Sequence, residues 1–401
     1  MANQDFPYDV CIVGGCGHVG LPLAITFASK GLKVNVFDIN EKAVETVRSG
    51  RMPFLENGAE EVLRRVVGKT LEVGTDPALA SRAEHVVVVI GTPVDEHLNP
   101  TFHTMRRFFQ GLIPHLRAGQ TVILRSTVFP GTTEKIRDLI ASENPDVHVA
   151  FCPERVAEGK AMEELVVLPQ IVSGCDEHAI EAASRLFGTI AHSLIRLTPQ
   201  EAELTKIFAN VWRYIQFAAA NQFFMIAADH GLDFYRVFDA LTRDYPRMSG
   251  LPRSGFAAGP CLFKDTMQLS AAYNNNFALG HAAMLVNEGL PNFLVRHAKQ
   301  RFDLSKMTVG LLGMAFKAES DDPRESLSYK LRKLLEYEAG AVLCSDEYIK
   351  DPGFLPAEEV VSRADLLFVG VPHRRYRGLE IPAETPIVDV WNLYGRGAFP
   401  G

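Results

Sequence analysis

The sequence predicts an α/β protein interrupted by an all-helical middle section. Three observations predict it. Over the first 200 residues, short near-continuous apolar runs alternate with helical patterns, as in a parallel sheet buried on both faces. From Glu201 to His230, apolar residues recur at helical spacing with neither Gly nor Pro. After about residue 305 the strand and helix alternation returns in a smaller unit.

The elements follow in order. Tyr8–Gly14 (YDVCIVG) is an apolar run ending in glycines, so it reads as a buried strand. Leu21–Lys30 is helical in pattern, with Gly31 as its stop. Lys33–Asp38, His85–Gly91 and Gln120–Arg125 are further strands of the same apolar kind. The helix from Glu201 to His230 is long for a globular protein and invites a subunit interface, the alternative being packing within one chain. A second helical region covers about 266–300. Met307–Gly313, Ala341–Cys344, Leu366–Val371 and Ile387–Val390 are the strands of the last unit. These boundaries divide the 401 residues into 1–200, 201–303 and 304–401.

Composition narrows the function. A 47% hydrophobic and 22% charged chain can build a large core. The net charge of −7 gives no reason to expect nucleic-acid binding, although a local basic pocket for a phosphorylated ligand is compatible with it. The N-terminus has no basic-then-apolar leader, and no run of 18 apolar residues suggests a membrane span. The six cysteines are scattered without a CxxC pair, which argues for reduced thiols in a cytoplasmic protein and for no metal site.

Gly15-Cys16-Gly17-His18-Val19-Gly20 follows the first strand and opens the first helix. Glycines there permit a tight turn and let backbone approach a pyrophosphate at the positive helix N-terminus. GxGxxG alone is a weak signal. Asp38 strengthens it by ending the next strand, where a carboxylate bonds a ribose 2′-hydroxyl and repels a 2′-phosphate. NAD is therefore expected, held by Gly15, Gly17, His18, Val19, Gly20 and Asp38, with Thr92 of Gly91-Thr92-Pro93 on the same sheet edge.

Three polar pairs repeat at i,i+4 spacing. In PCLFKD, Cys261 is expected in the first turn of a helix, where the helix dipole and Lys264 favour a thiolate. Asp265 one turn on opposes that ionisation and suits the activation of water. A buried core thiol is the other reading of Cys261. Lys206 and Asn210 in EAELTKIFAN offer donors to a developing oxyanion. Glu154 and Glu158 in FCPERVAEGKA are the third pair. Such pairs are commonly solvated helix faces.

Together these residues resemble the UDP-glucose/GDP-mannose dehydrogenase family, the nucleotide-sugar 6-dehydrogenases. The likeness runs through GGCGHVGLPLA (14–24), GTP (91–93), STVFPGTT (126–133), CPERVAEGKA (152–161), EAELTKIFAN (201–210), GFAAGPCLFKD (255–265) and GLLGMAFKAESDDPRES (310–326). The resemblance implies two Rossmann-like parallel-sheet domains joined by a long central helix and a helical dimerisation domain. The N-terminal one would bind NAD, the C-terminal one the UDP-sugar, and the chain would be a homodimer. It implies a double oxidation of a sugar C6 alcohol, with Cys261 as nucleophile and Lys206 and Asn210 stabilising the oxyanion. Asp265, with Thr127 and a water, would move protons, and Thr127 would also touch the cofactor. Glu154 and Glu158 would hold substrate or assist proton transfer and hydrolysis, with Glu158 counted on the cofactor side. Gly255, Phe256, Lys317 and Arg324 would meet the substrate, and Arg247 is the candidate for an arginine offered to a partner subunit. A place in polysaccharide biosynthesis goes with the family.

The chain departs from the family pattern at one critical place. Ala257 and Ala258 precede Gly259-Pro260-Cys261 where GFGGSC is usual, so a lost positive φ would strain the turn. His18 stands where tyrosine is usual, and Asn221-Gln222 where Asn-Glu is common. CPER and Tyr245-Pro246-Arg247 point to a UDP-N-acetylhexosamine (ManNAc or GlcNAc), whereas CLFKD and EGKA leave UDP-glucose as the alternative. A single-step hydroxyacid dehydrogenase and a non-catalytic nucleotide-sugar binder are the competing functions.

Overall fold

The computed structural model describes residues 6–91 and 102–399. The chain folds as two compact units, Met1–Phe208 and Ala209–Gly401. In the first, the strands and helices are β1 (Tyr8–Val13), α1 (Gly20–Ser29), β2 (Val34–Phe37), α2 (Glu41–Arg48), α3 (Ala59–Val66), β3 (Leu71–Gly74), β4 (Ala83–Val88) and α4 (Phe102–Leu112). They continue as β5 (Thr121–Leu124), α5 (Thr132–Ala141), β6 (His148–Phe151), α6 (Ala161–Val167), β7 (Gln170–Gly174), α7 (Glu177–Phe187), β8 (Leu194–Arg196) and the start of α8 (Pro199–Asp229).

These strands form one sheet in the order β3-β2-β1-β4-β5-β6-β7-β8. All neighbours run parallel except β6 and β7. The order turns back between β1 and β4, and ligands of open α/β sheets bind beyond the strand ends at such a point. Val10, Ile12, Val34, Val36 and Val87 feed one buried face, while Cys11, Val13, Val86, Val88 and Val122 feed the other. Burial on both faces explains why these strands read as continuous apolar runs rather than alternating ones.

The second unit holds the rest of α8, then α9 (Phe234–Thr242), α10 (Leu262–Ala272), α11 (Ala278–Lys299), β9 (Thr308–Leu312), α12 (Leu327–Glu338), β10 (Ala341–Ser345), α13 (Ala357–Arg363), β11 (Leu366–Val369) and β12 (Ile387–Val388). Its sheet is parallel throughout, in the order β10-β9-β11-β12.

One expectation is refined and one is corrected. The helical region about 266–300 is two helices, because Asn274 and Asn275 adopt positive φ (53° and 58°) between α10 and α11. Asparagine tolerates that left-handed conformation better than most residues. The segment carrying Glu154 and Glu158 is not helical. Pro153 and the positive φ of Gly159 (78°) hold it in extended and turn conformations until α6 begins at Ala161.

Candidate active site

Of the four glycines from the end of β1 to the start of α1, Gly14 takes the positive φ (76°) and the other three have three different environments. A Cβ on Gly15 would meet the Ile12 carbonyl oxygen at 2.8 Å, and one on Gly20 would meet the Gly15 Cα at 2.5 Å. Gly15 thus makes the turn and Gly20 lets α1 pack against it. A Cβ on Gly17 would meet nothing within 4 Å, so this backbone faces open space. The first turn of α1 has no side-chain cap; the Leu21 amide donates to the Gly17 carbonyl at 3.0 Å and Pro22 has no amide hydrogen, so a ligand would meet the glycine turn ahead of the helix. Asp38, just past β2, accepts from the Cys16 amide at 2.9 Å and the Asn40 amide at 2.9 Å. His18 packs on Phe54 at 4.0 Å between ring centroids with the rings tilted by 32°, and Val19 is half-buried before α1. These residues fit a dinucleotide: two glycines shape the turn, the third leaves room for the pyrophosphate, and the acid stands at the ribose position. Thr92 lies outside the described residues.

In the same unit, Thr127 sits half-buried on the loop between β5 and α5. Glu203, buried on α8, ties the far end of that loop down. It accepts from the Gly131 amide at 2.6 Å, the Thr133 amide at 2.8 Å and the Thr133 hydroxyl at 2.6 Å. Burial raises its carboxyl above the usual range, and these hydrogen bonds only partly offset the rise. Lys206 is half-buried one turn further along α8.

Glu154 is buried, and both of its oxygens are engaged. One oxygen accepts from Arg125 Nε at 3.0 Å and from Nη2, the other from the amides of Arg155 and Val156 at 2.6 and 2.9 Å. Arg125 is itself buried and stacks 4.7 Å over Phe187. Glu154 therefore holds the CPER backbone in place, and a direct proton-transfer role finds no uncommitted oxygen here. Glu158 is half-buried in a turn whose backbone is gripped by Glu56, through the Gly159 and Ala161 amides at 2.8 Å each.

In the second unit, Cys261 is the N-cap of α10 and not a residue of its first turn. Of the six cysteines it is the exposed one. Burial pushes the thiols of Cys16 and Cys152 up to about 12 and those of Cys175 and Cys344 to about 11. Those four are inert packing thiols at neutral pH, and the core-thiol reading of Cys261 fails on exposure. Asp265, one turn on, is fully buried and accepts from Asn210 Nδ2 at 2.6 Å. Its other oxygen has Lys264 Nζ at 3.5 Å and no hydrogen bond among the described residues.

Gly255 has φ +150°, and a Cβ there would fall 2.1 Å from Cζ3 of Trp391. Asn221 of α8 brackets it, accepting from its amide at 2.9 Å and donating to its carbonyl at 3.0 Å. Asn287 of α11 accepts from the same Asn221 amide group at 2.9 Å. Phe256 is a core residue set edge-on to Trp391, so only its backbone is offered to a ligand. Arg324, on the loop before α12, pairs with buried Asp322 through Nε at 2.9 Å, and Lys317 is half-buried on the same loop. Arg247 is exposed in a single 3-10 turn beside Tyr245.

Three family profiles match this chain in order: the NAD binding domain of the UDP-glucose/GDP-mannose dehydrogenase family over residues 8–191, its central domain over 200–289 and its UDP binding domain over 310–396. The chain belongs to the UDP-glucose/GDP-mannose dehydrogenase family. It is an NAD-dependent nucleotide-sugar dehydrogenase. An NDP-N-acetyl-D-galactosaminuronic acid dehydrogenase of Ralstonia nicotianae is 28% identical, over 94% of this chain and 93% of that protein. The solved UDP-D-ManNAc dehydrogenase of Pyrococcus horikoshii superposes with a TM-score of 0.89 at 26% identity, covering 96% of each chain. A UDP-glucose dehydrogenase from Pyrobaculum islandicum superposes at 0.86 and 27% identity, over 97% of this chain and 95% of the other.

The departure from the family pattern at Ala257 and Ala258 is harmless to the backbone. Neither alanine has a positive φ; the turn's two left-handed positions are Gly255 and Gly259 (φ +104°), and both glycines are kept. The reading of the sequence missed Arg125, Glu56, Glu203, Asn221 and Asn287, which hold the segments that the family motifs mark. Arg125 carried a signal, as a charge closing an otherwise apolar strand. Asn221 was noted only as the Asn of Asn221-Gln222, with no role assigned, and Asn287 carried no signal beyond a polar residue in an apolar helix.

Proposed function

We propose that this nucleotide-sugar dehydrogenase oxidises the C6 alcohol of a UDP-N-acetylhexosamine to the uronic acid in two steps through Cys261. The observation that carries the reading is the exposed thiol of Cys261 at the head of α10, with buried Asp265 one turn away and bonded to Asn210. NAD, when bound, supplies the hydride acceptor. The alcohol loses a hydride and a proton to become an aldehyde. The Cys261 thiolate adds to the aldehyde carbon, and Lys206 with the second amide hydrogen of Asn210 holds the resulting oxyanion. Loss of a second hydride leaves a thioester, which water cleaves to carboxylate and free thiol with Asp265 and Thr127 moving the proton. Covalent capture keeps the aldehyde in place between the two oxidations. Two NAD are reduced per sugar. Lys317 and Arg324 serve the nucleotide half of the substrate, and the backbone of Gly255 and Phe256 the sugar half.

The sugar assignment is supported by two relatives, the NDP-N-acetyl-D-galactosaminuronic acid dehydrogenase of Ralstonia nicotianae and the UDP-N-acetyl-D-mannosamine dehydrogenase of Pyrococcus horikoshii. UDP-glucose is the second reading, favoured by the likeness to the Pyrobaculum enzyme. We also infer a homodimer built on α8. Phe208, Trp212, Phe223 and Ile226 lie on one stripe of that helix and are 53%, 59%, 45% and 50% exposed. A long stripe of large apolar side chains in water favours a second copy. Exposed Arg247 is then available to the partner's substrate. A cytoplasmic location is supported by the six unbridged cysteines.

The deciding experiment is NADH release across UDP-N-acetylmannosamine, UDP-N-acetylglucosamine, UDP-N-acetylgalactosamine, UDP-glucose and GDP-mannose, with the acid product quantified. About two NADH per sugar are expected, one for each hydride step. One NADH per sugar would favour the single-step dehydrogenase, and binding without NADH the non-catalytic reading. Normal acid yield from Cys261→Ala would remove the nucleophile assignment.

A further inference from the structure

The second unit contains a buried histidine that no step above uses. His373 follows β11 at the point where the order of the second sheet turns back, and its side chain is fully buried. Its Nδ1 accepts from the Glu319 amide at 3.1 Å, so that nitrogen carries no proton and Nε2–H donates to Asp346 Oδ2 at 3.2 Å. Asp346 also accepts from the amides of Met314 and Ala315 at 2.6 and 3.0 Å, and from those of Tyr348 and Ile349 at 2.8 and 2.9 Å. The Glu319 carboxylate accepts from the Arg374 amide and the Tyr348 hydroxyl, both at 2.8 Å. The segments after β9, β10 and β11 are thereby bonded to one another by side chains.

Two observations say what this arrangement holds. Glu319 has φ +58°, a conformation that a non-glycine keeps only where its surroundings over-determine it. Its loop is closed at the base by the Phe316 amide, which donates to the Asp322 carbonyl at 3.0 Å. The Phe316 ring in turn lies against Gly259, where a Cβ would come within 2.7 Å of Cδ2. Gly259 is two residues before Cys261. The loop that carries Lys317 is thus anchored on one side by His373 and rests on the other against the cysteine turn.

We propose that His373 is a positioning residue, which through the Glu319 amide fixes loop 316–322 so that Lys317 meets the nucleotide half of the substrate. The proposal rests on the role given to Lys317 above, and its test separates the two. His373→Asn keeps an acceptor at the Nδ1 position and loses the donor to Asp346. His373→Gln keeps a donor at the far end and leaves the Glu319 amide without its acceptor. In His373→Gln, KM for the UDP-sugar should rise about fivefold, the effect of one lost buried hydrogen bond, with kcat within about twofold of native. His373→Asn should stay near the native KM. Amide hydrogen exchange at 317–320 should quicken in the Gln variant alone. Equal behaviour of the two variants in KM and exchange overturns the proposal, since a residue that only fills space would not distinguish them. If Lys317→Ala leaves KM unchanged while exchange still separates the His373 variants, the Lys317 role falls and the fixing of the loop stands. Should His373→Gln fail to fold, hydrogen exchange of the native protein decides: a Glu319 amide that exchanges as fast as an unprotected loop amide would overturn the proposal.

Discussion

Gly255→Ala tests whether the turn before Cys261 depends on its glycines or on the alanines that replace others in the family. The new methyl carbon would fall 2.1, 2.4 and 2.5 Å from three ring atoms of Trp391. Trp391 cannot swing aside freely, because its Nε1 donates to the Gly370 carbonyl at 3.0 Å and its ring packs on Phe256. Asn221 holds the Gly255 backbone from the other side at both amide and carbonyl. Forcing an extra methyl into such packing costs about 1–3 kcal/mol. A non-glycine at φ +150° adds strain of similar size, about 1–3 kcal/mol. A loss of about 3 kcal/mol is therefore expected, or a Tm lower by roughly 10 °C for a unit of this size. Ala257→Gly and Ala258→Gly should change Tm by no more than about 3 °C, the cost of one extra flexible residue. Thermal unfolding of all three variants checks this, with NADH release on the best substrate beside it. A Gly255→Ala protein with native Tm and native KM would refute the steric reasoning. A gain of activity above about tenfold on restoring glycine at 257 or 258 would show that the alanines do close the site.

Three other perturbations have signs set by the structure. Glu154→Ala leaves Arg125 buried without its carboxylate, and chemical denaturation should show a loss of about 3–5 kcal/mol; a loss below about 1 kcal/mol would mean the pair is not formed as described. Burial alone would raise the Asp346 carboxyl, but the hydrogen bond from His373 and the amides of Met314 and Ile349 outweigh it and hold the group at about 2. Because this folded value lies below the unfolded one near 3.9, its stability, about 2 kcal/mol, is complete above roughly pH 4 and is lost as pH falls through 2. Asp346→Asn should flatten that acid limb of the stability curve, and an unchanged limb would assign the acid loss to other groups. Asp38→Asn removes the carboxylate that repels a 2′-phosphate, so the NAD to NADP ratio of kcat/KM should fall at least about tenfold; an unchanged ratio would take cofactor choice away from Asp38.

How far the sequence could be read follows from what kind of signal each element carries. The four strands of the second sheet and β1, β2, β4 and β5 of the first were legible because burial on two faces makes them mostly apolar, as in YDVCIV and LLFV, whereas β3, β6, β7 and β8, three to five residues each, were not. The long helix was legible because Pro199–Asp229 has apolar periodicity and no breaker after its first residue. The break between α10 and α11 was not, since it rests on two asparagines adopting positive φ, which spacing does not reveal. At the site, glycines and the Cys261 and Asp265 pair were legible as local patterns. The partners of those residues were not. Arg125 and Glu154 are 29 positions apart and Asn221 and Asn287 are 66 apart, so only folding brings them within bonding distance. The i,i+4 rule misled at Glu154 and Glu158, where proline and glycine prevent the helix that the rule assumes.

The long helix explains why so much of the site machinery depends on one element. Glu203, Asn210 and Asn221 lie on one face of α8, and each bonds to a different segment: the loop of Thr127, the helix headed by Cys261, and the turn of Gly255. Each bond is local and replaceable on its own. Their common register is not, because one inserted or deleted residue rotates everything beyond it by about 100° and turns the buried amides outward. The opposite face of the same helix is the exposed apolar stripe of Phe208, Trp212, Phe223 and Ile226. An uninterrupted helix of 31 residues, about 46 Å long, can present both faces with no loop between them. A second copy packed on that stripe would then restrain bending of the helix that carries Lys206 and Asn210. If the chain dimerises on this stripe, a substitution there that weakens the dimer should also lower activity, and size-exclusion chromatography beside NADH release checks this.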